Sequence, residues 1–293
     1  MAVAPVEGLP FVSVIVPVYH GWADLRACLR ALSEQTYPHD RFEVIVVDNG
    51  GGFSLEGSES AWLPIRVLEE LQPGSYAARN RGVLDARGDI FAFTDSDCIP
   101  SATWIDRGVS EFLSHPGLDR VAGGIELVFH DRYKRSAVEL YEQVFAFRQK
   151  EMVERWGAAI TANMFVRREV FSAIGLFSTT AYSDGDREWG VRAHESGYSI
   201  AFVPEARVLH PSRRTWQGLI RKTRRIHGGQ RAMRTWTSAA RSRRFERLRQ
   251  ALTTPALSGI GRRGRVVAVL VVLKLVRTFE DVRLRLGGKP VRT

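Results

Sequence analysis

Residues Phe91 to Pro100 read FAFTDSDCIP, an apolar run that stops at two carboxylates, Asp95 and Asp97, with one serine between them. Asp and Ser also build turns, so Thr94-Asp95-Ser96-Asp97 taken alone leaves two readings open. A buried strand, however, gains nothing by ending in paired acids. Acidic oxygens at a strand end suit a hard divalent cation, Mg2+ or Mn2+, which keeps coordination positions for phosphate oxygens. Asp48 ends a second apolar run, FEVIVVD, and Arg79 lies in the segment before the acidic pair. Further along, Asp184 and Asp186 precede REWGVRAHE, and His210 closes ARVLH. Imidazole can join carboxylates around Mn2+. A carboxylate opening a helix serves either as a cap or as a general base.

These groups need a scaffold that gathers strand ends. FVSVIVPVY is rich in β-branched and aromatic residues and predicts a buried strand. Trp22, Leu25, Leu29 and Leu32 follow at helical spacing, then FEVIVVDNGG and IRVLE as further strands. GSYAARNRGVLDARGD predicts a helix with Gly88 just past its end, leading into the FAFT strand. Strands alternating with helices imply right-handed crossovers and a mostly parallel, Rossmann-like α/β sheet flanked by helices. Such sheets bind ligands at the carboxyl ends of their strands, where Asp48, Asp95 and Asp97 all fall. A helix over Trp104 to Leu113 and a strand at VAGGIELVF come next. Tyr133, Ala137, Leu140, Tyr141, Val144 and Phe147 then trace one face of a single long helix. ITANMFVRREVFSAIGLF reads as strand, helix and a stop at Gly175, and another strand starts at Tyr198. From Trp216 the composition shifts to arginine, in RKTRR, RSRR and GRRGR. The expected division is a catalytic domain over 1–211 and a basic, mostly helical extension over 212–293.

The 293 residues are 44% hydrophobic and 25% charged, an ordinary globular balance, but 42 Lys and Arg against 32 Asp and Glu leave a net charge of +10. That excess points to an anionic partner: nucleic acid, a membrane surface or a phosphorylated substrate. Cys28 and Cys98 supply neither a disulfide framework nor zinc spacing, which makes a cytoplasmic setting the expectation. The N-terminal MAVAPVEGLPFVSVIV carries no basic region before its apolar run, so no signal peptide is expected. The longest apolar run, Val266 to Val276, is interrupted by Lys274 and is too short to span a bilayer.

The ordered set VSVIVPVY, VIVVDNG, AARNRGVLDARGDIFAFTDSDC, TANMFVRREVFSAIGLF and GDREWGVRAHESGYSIAFVPEARVLH resembles the family 2 glycosyltransferases over Val12 to about Pro211. The resemblance implies the glycosyltransferase A fold, a nucleotide-diphosphate sugar donor, most simply a UDP-sugar, a divalent metal and inversion at the anomeric carbon. Pro17, Tyr19 and Asp48 match positions that hold the base, with Asp48 accepting from uracil or a similar edge. Asp95 matches the position near the ribose, Asp97 the ligand of the diphosphate-bound metal, and Arg79 an arginine near the nucleotide. His210 stands where some relatives place a histidine near the metal. Inverting displacement needs a carboxylate to take the acceptor's proton, and the family commonly sets it in a Glu-Asp pair opening a helix. This chain has Gly185-Asp186 there, so Asp186 matches the base and Asp184 is the substitute.

Two other readings compete with transfer. A sugar-phosphate nucleotidyltransferase shares the sheet but carries a Gly-rich, basic N-terminal loop that PVYHGWADL lacks, and a silent nucleotide-sugar-binding protein would retain the fold without the chemistry. The arginine-rich extension carries no nucleic-acid-reading motif, so nucleic acid is not an expected partner. Together with Val266 to Val276 it suits peripheral contact with an anionic membrane at its inner face. QRAMRTW, Gln230 to Trp236, faintly resembles the Gln-Arg-Trp motif of processive synthases, but with no spanning helices a processive channel is not expected.

Overall fold

In the computed structural model, β1 (Val12–Val18) and β2 (Phe42–Asp48) are buried at every position. A strand covered on both faces favours apolar side chains at nearly every position, which is why neither run alternates. Two buried exceptions, Ser13 and Glu43, satisfy each other, the Ser13 hydroxyl donating to the Glu43 carboxylate at 2.8 Å. β3 (Ile65–Glu69) and β4 (Ile90–Thr94) flank this pair, all four strands running parallel. Beyond β4 the sheet turns antiparallel, with β7 (Asn163–Arg167) on β4 and β6 (Arg120–Val128) on β7. β5 (Ile99–Pro100) joins β8 (Ile200–Pro211) antiparallel, and the sheet order is β3-β2-β1-β4-β7-β6-β8-β5. The α/β architecture expected from the alternation is present, but the sheet is mixed rather than mostly parallel, because β7, β6, β8 and β5 are not joined by βαβ crossovers and pair antiparallel. The parallel half holds the strand ends of interest.

The structure describes residues 8–52, 63–131, 133–180, 183–232, 243–289 and 291. Part of QRAMRTW and part of RSRR, together with the first seven residues, lie outside them. The chain forms two units: one of Met1–Glu126, Gln149–Ser178 and Asp186–His210, the other of Leu127–Arg148, Thr179–Gly185 and Pro211–Thr293.

In the first unit, α1 (Trp22–Ser33) buries Leu25, Cys28, Leu29 and Leu32. α2 (Ser75–Asp85) lies so close to β1 that a Cβ on Gly82 would stand 2.5 Å from Ile15 Cγ2. Ala78 and Gly82 thus set the depth of the helix that carries Tyr76 and Arg79. α2 ends at Asp85, short of Gly88. Gly88 serves another purpose: a Cβ there would meet Ser13 N at 2.5 Å and Ile90 O at 2.7 Å. α3 (Trp104–Ser114), α5 (Gln149–Trp156), α6 (Arg168–Ile174) and α7 (Gly185–Glu195) follow along the chain. Phe91, Phe93, Phe171, Phe177 and Trp189 pack as one aromatic cluster. Arg120, fully buried, donates to the carbonyls of Gly157, Gly190 and Tyr198 at 2.7–2.9 Å, and burial lowers its pKa to about 10.

The single long helix expected over Tyr133 to Phe147 is instead α4 (Ala137–Phe145), separated from α5 by a break. Ser136 and Glu139 form a reciprocal capping box that starts α4 late. At its other end Ala146 is extended and Phe147 is left-handed, with φ of 47°. No glycine or proline marks that stop, so apolar spacing alone runs straight through it.

In the second unit α4 packs with α8 (Trp216–Ala232), α9 (Arg243–Thr253) and α10 (Ile260–Arg285) around Tyr141, Leu219, Leu257, Val266, Val269 and Leu273. Glu142 is fully buried there and accepts from Arg213 N at 2.6 Å, Arg213 Nη1 at 3.0 Å and Lys222 Nζ at 3.2 Å. Burial would raise the Glu142 carboxyl, but Lys222 and Arg213 outweigh it and hold it below its usual range. Burial, reinforced by Arg213, pushes Lys222 down to about 8.

Candidate active site

β1, β2 and β4 end side by side. Pro17 is tolerated within buried β1 because pairing with β4 stops at Ile15, leaving only β2 beside it. Tyr19 follows with 55% of its surface exposed, its ring 4.4 Å from that of His20. At the end of β2 the Asp48 carboxylate turns back to accept from Gly50 N and Gly51 N, each at 2.9 Å. Its neighbour Asn49 donates to the carbonyls of Glu70 and Gln72 and accepts from Gly74 N. That clamp places the start of α2 over the strand ends, a role that sequence reasoning missed.

After β4 the chain makes a tight turn in which Cys98 N donates to Asp95 O at 3.0 Å. Asp95 pairs with the buried Arg79 of α2 at 2.5 Å. Asp97 stands on the other side of the turn, 3.6 Å from His210 Nε2. The pairing of Ile99 with Leu209 brings His210 there, since one more antiparallel step sets residue 210 opposite residue 98. Ligand atoms of Asp97, Cys98 and His210 all lie within 4.8 Å of one another. Burial, with Asp95 and Asp97 beside it, pushes the Cys98 thiol well above its usual range, and its Sγ faces Ala162 O at 3.9 Å. Sulfur is a soft donor and suits a hard cation poorly. The donors that fit Mg2+ or Mn2+ are therefore the Asp97 carboxylate and the His210 imidazole. A cation with bonds of about 2.1 Å spaces two donors about 3–4 Å apart, which brackets the Asp97–His210 distance. Cys28, also buried, is pushed up by the same causes, and its Sγ lies 3.8 Å from Asp95 O.

Asp186, in the first turn of α7, accepts from Tyr76 Oη at 3.1 Å, Arg187 N at 2.9 Å and Thr161 N at 3.3 Å. Gln149 fixes the backbone on either side of Thr161, its side-chain amide donating to the carbonyls of Ile160 and Asn163 and accepting from Ile160 N. Tyr76 and Arg79 sit three residues apart on α2, hence on one face, with the guanidinium 5.6 Å from the Tyr76 ring centre. One helix face thus connects Asp95 to Asp186. Tyr76 was missed in the sequence, although its spacing from Arg79 is a usable signal. Thr161 carries none. Asp184 belongs to the second unit and has left-handed backbone, with φ of 66°.

The chain is similar to known glycosyltransferases. Glycosyltransferase AglE of Haloferax volcanii is 39% identical over 230 residues, 76% of this chain and 73% of that one. Probable glycosyltransferase YdaM of Bacillus subtilis is 27% identical over 237 residues, 76% of this chain and 56% of its own. The solved structure of the mannosyltransferase PcManGT from Pyrobaculum calidifontis, in complex with GDP-Man and Mn2+, superposes with a TM-score of 0.56 at 21% identity. That superposition covers 94% of this chain and 81% of the other, a likeness of fold. Residues 13–175, more than half of the chain, match the profile of Glycosyl transferase family 2, and the chain belongs to that family of glycosyltransferases.

Proposed function

We propose that the chain transfers a sugar from a nucleotide-diphosphate sugar to an acceptor hydroxyl, with a divalent cation and with inversion at the anomeric carbon. The observation that carries this reading is the Asp97–His210 pair, 3.6 Å apart, at the end of the strand whose Asp95 pairs with Arg79. Asp48 accepts an N–H of the base, Pro17 and Tyr19 line it, and Asp95, held by Arg79, receives the ribose hydroxyls. Asp97 and His210 are the residues that would hold Mn2+ or Mg2+, which would supply Lewis-acid neutralisation of the diphosphate charge. The Asp186 carboxylate takes the acceptor's proton as the acceptor oxygen bonds to the anomeric carbon opposite the diphosphate. The anomeric C–O bond to phosphate breaks, and the nucleoside diphosphate leaves with the electron pair. A single displacement of this kind inverts the centre.

A UDP-sugar is the donor proposed, and GDP-mannose, bound by the structural neighbour, is the comparison. No observation among the described residues favours a nucleotidyltransferase or a silent binding protein. No helix of the described residues is long and apolar enough to cross a membrane. The arginine-rich segment after Pro211 brings the enzyme to the anionic inner face of a membrane, a reading that rests on its charge.

The test is a thermal-shift panel of UDP-sugars and GDP-mannose with and without Mn2+. A ligand at a hundred times its Kd stabilises the native state by about 2.7 kcal/mol. The shift is expected to need both donor and Mn2+, and Asp97→Asn is expected to lose it with the fold intact. A Mn2+-dependent shift of undiminished size in Asp97→Asn would remove the metal assignment.

A further inference from the structure

The charge of this chain is divided unevenly. Residues 212–293 hold 22 Lys and Arg against 3 Asp and Glu, whereas residues 1–211 hold 20 against 29. The positive excess belongs wholly to the C-terminal segment, and α10 is the longest helix among its described residues, with 26 residues. Val266, Val269, Leu273 and Glu280 form its packed face. The face opposite is apolar too. Val271, Leu275, Phe279, Val282 and, just past the helix end, Leu286 are exposed by 55%, 64%, 65%, 50% and 83%. At about 100° per residue these five fall within an arc of about 80°, turned away from the packed face. A surface helix ordinarily sets polar side chains there.

The exposed face is also free of acid. α10 has two acidic residues, and both are engaged within its own unit: Glu280 with Arg224 and Arg283, Asp281 with His227. Exposed Lys274 and Arg285 border the apolar stripe on one side and exposed Arg265 on the other. The stripe is thus a row of apolar side chains, about 22 Å long at 1.5 Å per residue, edged by cations.

We propose that this face of α10 docks in the interfacial plane of an anionic lipid bilayer. The inference rests on the membrane reading above and gives it a surface. Apolar side chains enter the boundary between headgroups and acyl chains, while the long basic stems at the edges carry their charges to lipid phosphates. The helix lies on the membrane without crossing it, because its length of apolar surface falls short of the bilayer core of about 30 Å. A second copy of the chain fits less well, since pairing two such faces would press their basic edges together. Duplex nucleic acid would meet the charge but offers a mostly aliphatic stripe little apolar surface to bury against.

The experiment floats the full chain with phosphatidylcholine vesicles, with and without phosphatidylglycerol, at low and high salt. The full chain is expected to rise with the phosphatidylglycerol vesicles and to release at high salt. The variant Leu275→Ser/Phe279→Ser/Leu286→Ser is expected to lose vesicle binding by at least about tenfold, with its far-UV circular dichroism unchanged because all three side chains are exposed. Lys274→Glu/Arg285→Glu is expected to weaken binding at low salt. If the triple-serine variant floats as well as the parent, this face is not the docking surface, although the membrane reading of the basic segment stands. If the full chain floats with neither vesicle, both fall. If the serines leave flotation intact but convert a dimer into a monomer by light scattering, a second copy covers the face. Retention on a duplex oligonucleotide in place of vesicle binding would assign the segment to nucleic acid.

Discussion

Tyr76→Phe isolates one hydroxyl. Tyr76 Oη donates to Asp186 Oδ1 at 3.1 Å, and the substitution removes that donor while keeping the ring. The ring stays 5.7 Å from Phe177 and beside Arg79, so its packing survives. A hydrogen bond to a charged group contributes about 1.5–3 kcal/mol. Asp186 keeps the N–H groups of Thr161 and Arg187, so its carboxylate loosens without being released, and the low end of the range applies. At about 1.4 kcal/mol per factor of ten, kcat is expected to fall about tenfold. Donor KM is expected to stay constant, because Asp48, Asp95 and Asp97 are untouched. Steady-state release of nucleoside diphosphate, read against donor concentration, separates the two constants. The double variant with Asp186→Asn is expected to be no slower than Asp186→Asn alone, since the hydroxyl acts only through that carboxylate. An unchanged kcat, or a raised donor KM with kcat intact, would refute Tyr76 as the residue that positions the base.

Asp186→Asn is expected to lower kcat by about 10²–10⁴-fold while preserving the donor-induced thermal shift; if Asp184→Asn shows that loss in its place, the base lies on the other side of Gly185. Gly82→Val places a Cβ 2.5 Å from Ile15 Cγ2 and is expected to cost about 1–3 kcal/mol by urea denaturation, lowering activity as α2 lifts away with Tyr76 and Arg79. An unchanged midpoint would show that α2 does not sit as tightly on β1 as its glycine requires. Glu142 titrates below the ordinary value of 4.5 in the folded chain, so its contribution to stability is fully present above that pH and is lost as pH falls through the depressed folded value. Melting curves across the acid range are expected to show this slope in the parent and a shallower one in Glu142→Gln, where Asp131 and Glu280, also held below their usual range, still contribute; an equal slope in both would assign acid sensitivity elsewhere.

Much of this protein is written locally. The predominantly apolar runs of β1, β2 and β4, and the acids that end or follow the last two, are legible because burial on both faces leaves no room for alternation. Gly175 reads correctly as a stop, its φ of 80° being costly for a residue with a side chain. The end of α4 was not legible. It depends on Ser136 and Glu139 capping each other and on Phe147 adopting left-handed backbone, neither of which the apolar periodicity carries. Gly88 reads as a helix stop but answers to a close approach of Ser13 and Ile90, residues distant from that helix or beyond it.

By itself the sequence determined which side chains could do chemistry and that strand ends would carry them, because residue type and hydrophobic period are local properties. Which of these side chains meet was decided only by the tertiary structure. Asp97 reaches His210 through the register of β5 on β8, and Tyr76 reaches Asp186 across 110 residues because Gly82 lets α2 sink onto β1. The fold also decided that α10 would engage both its acids with basic partners of its own unit and leave an apolar face outside. Distances of this kind arise from strand order, register and packing depth, which belong to the folded whole and to no single segment.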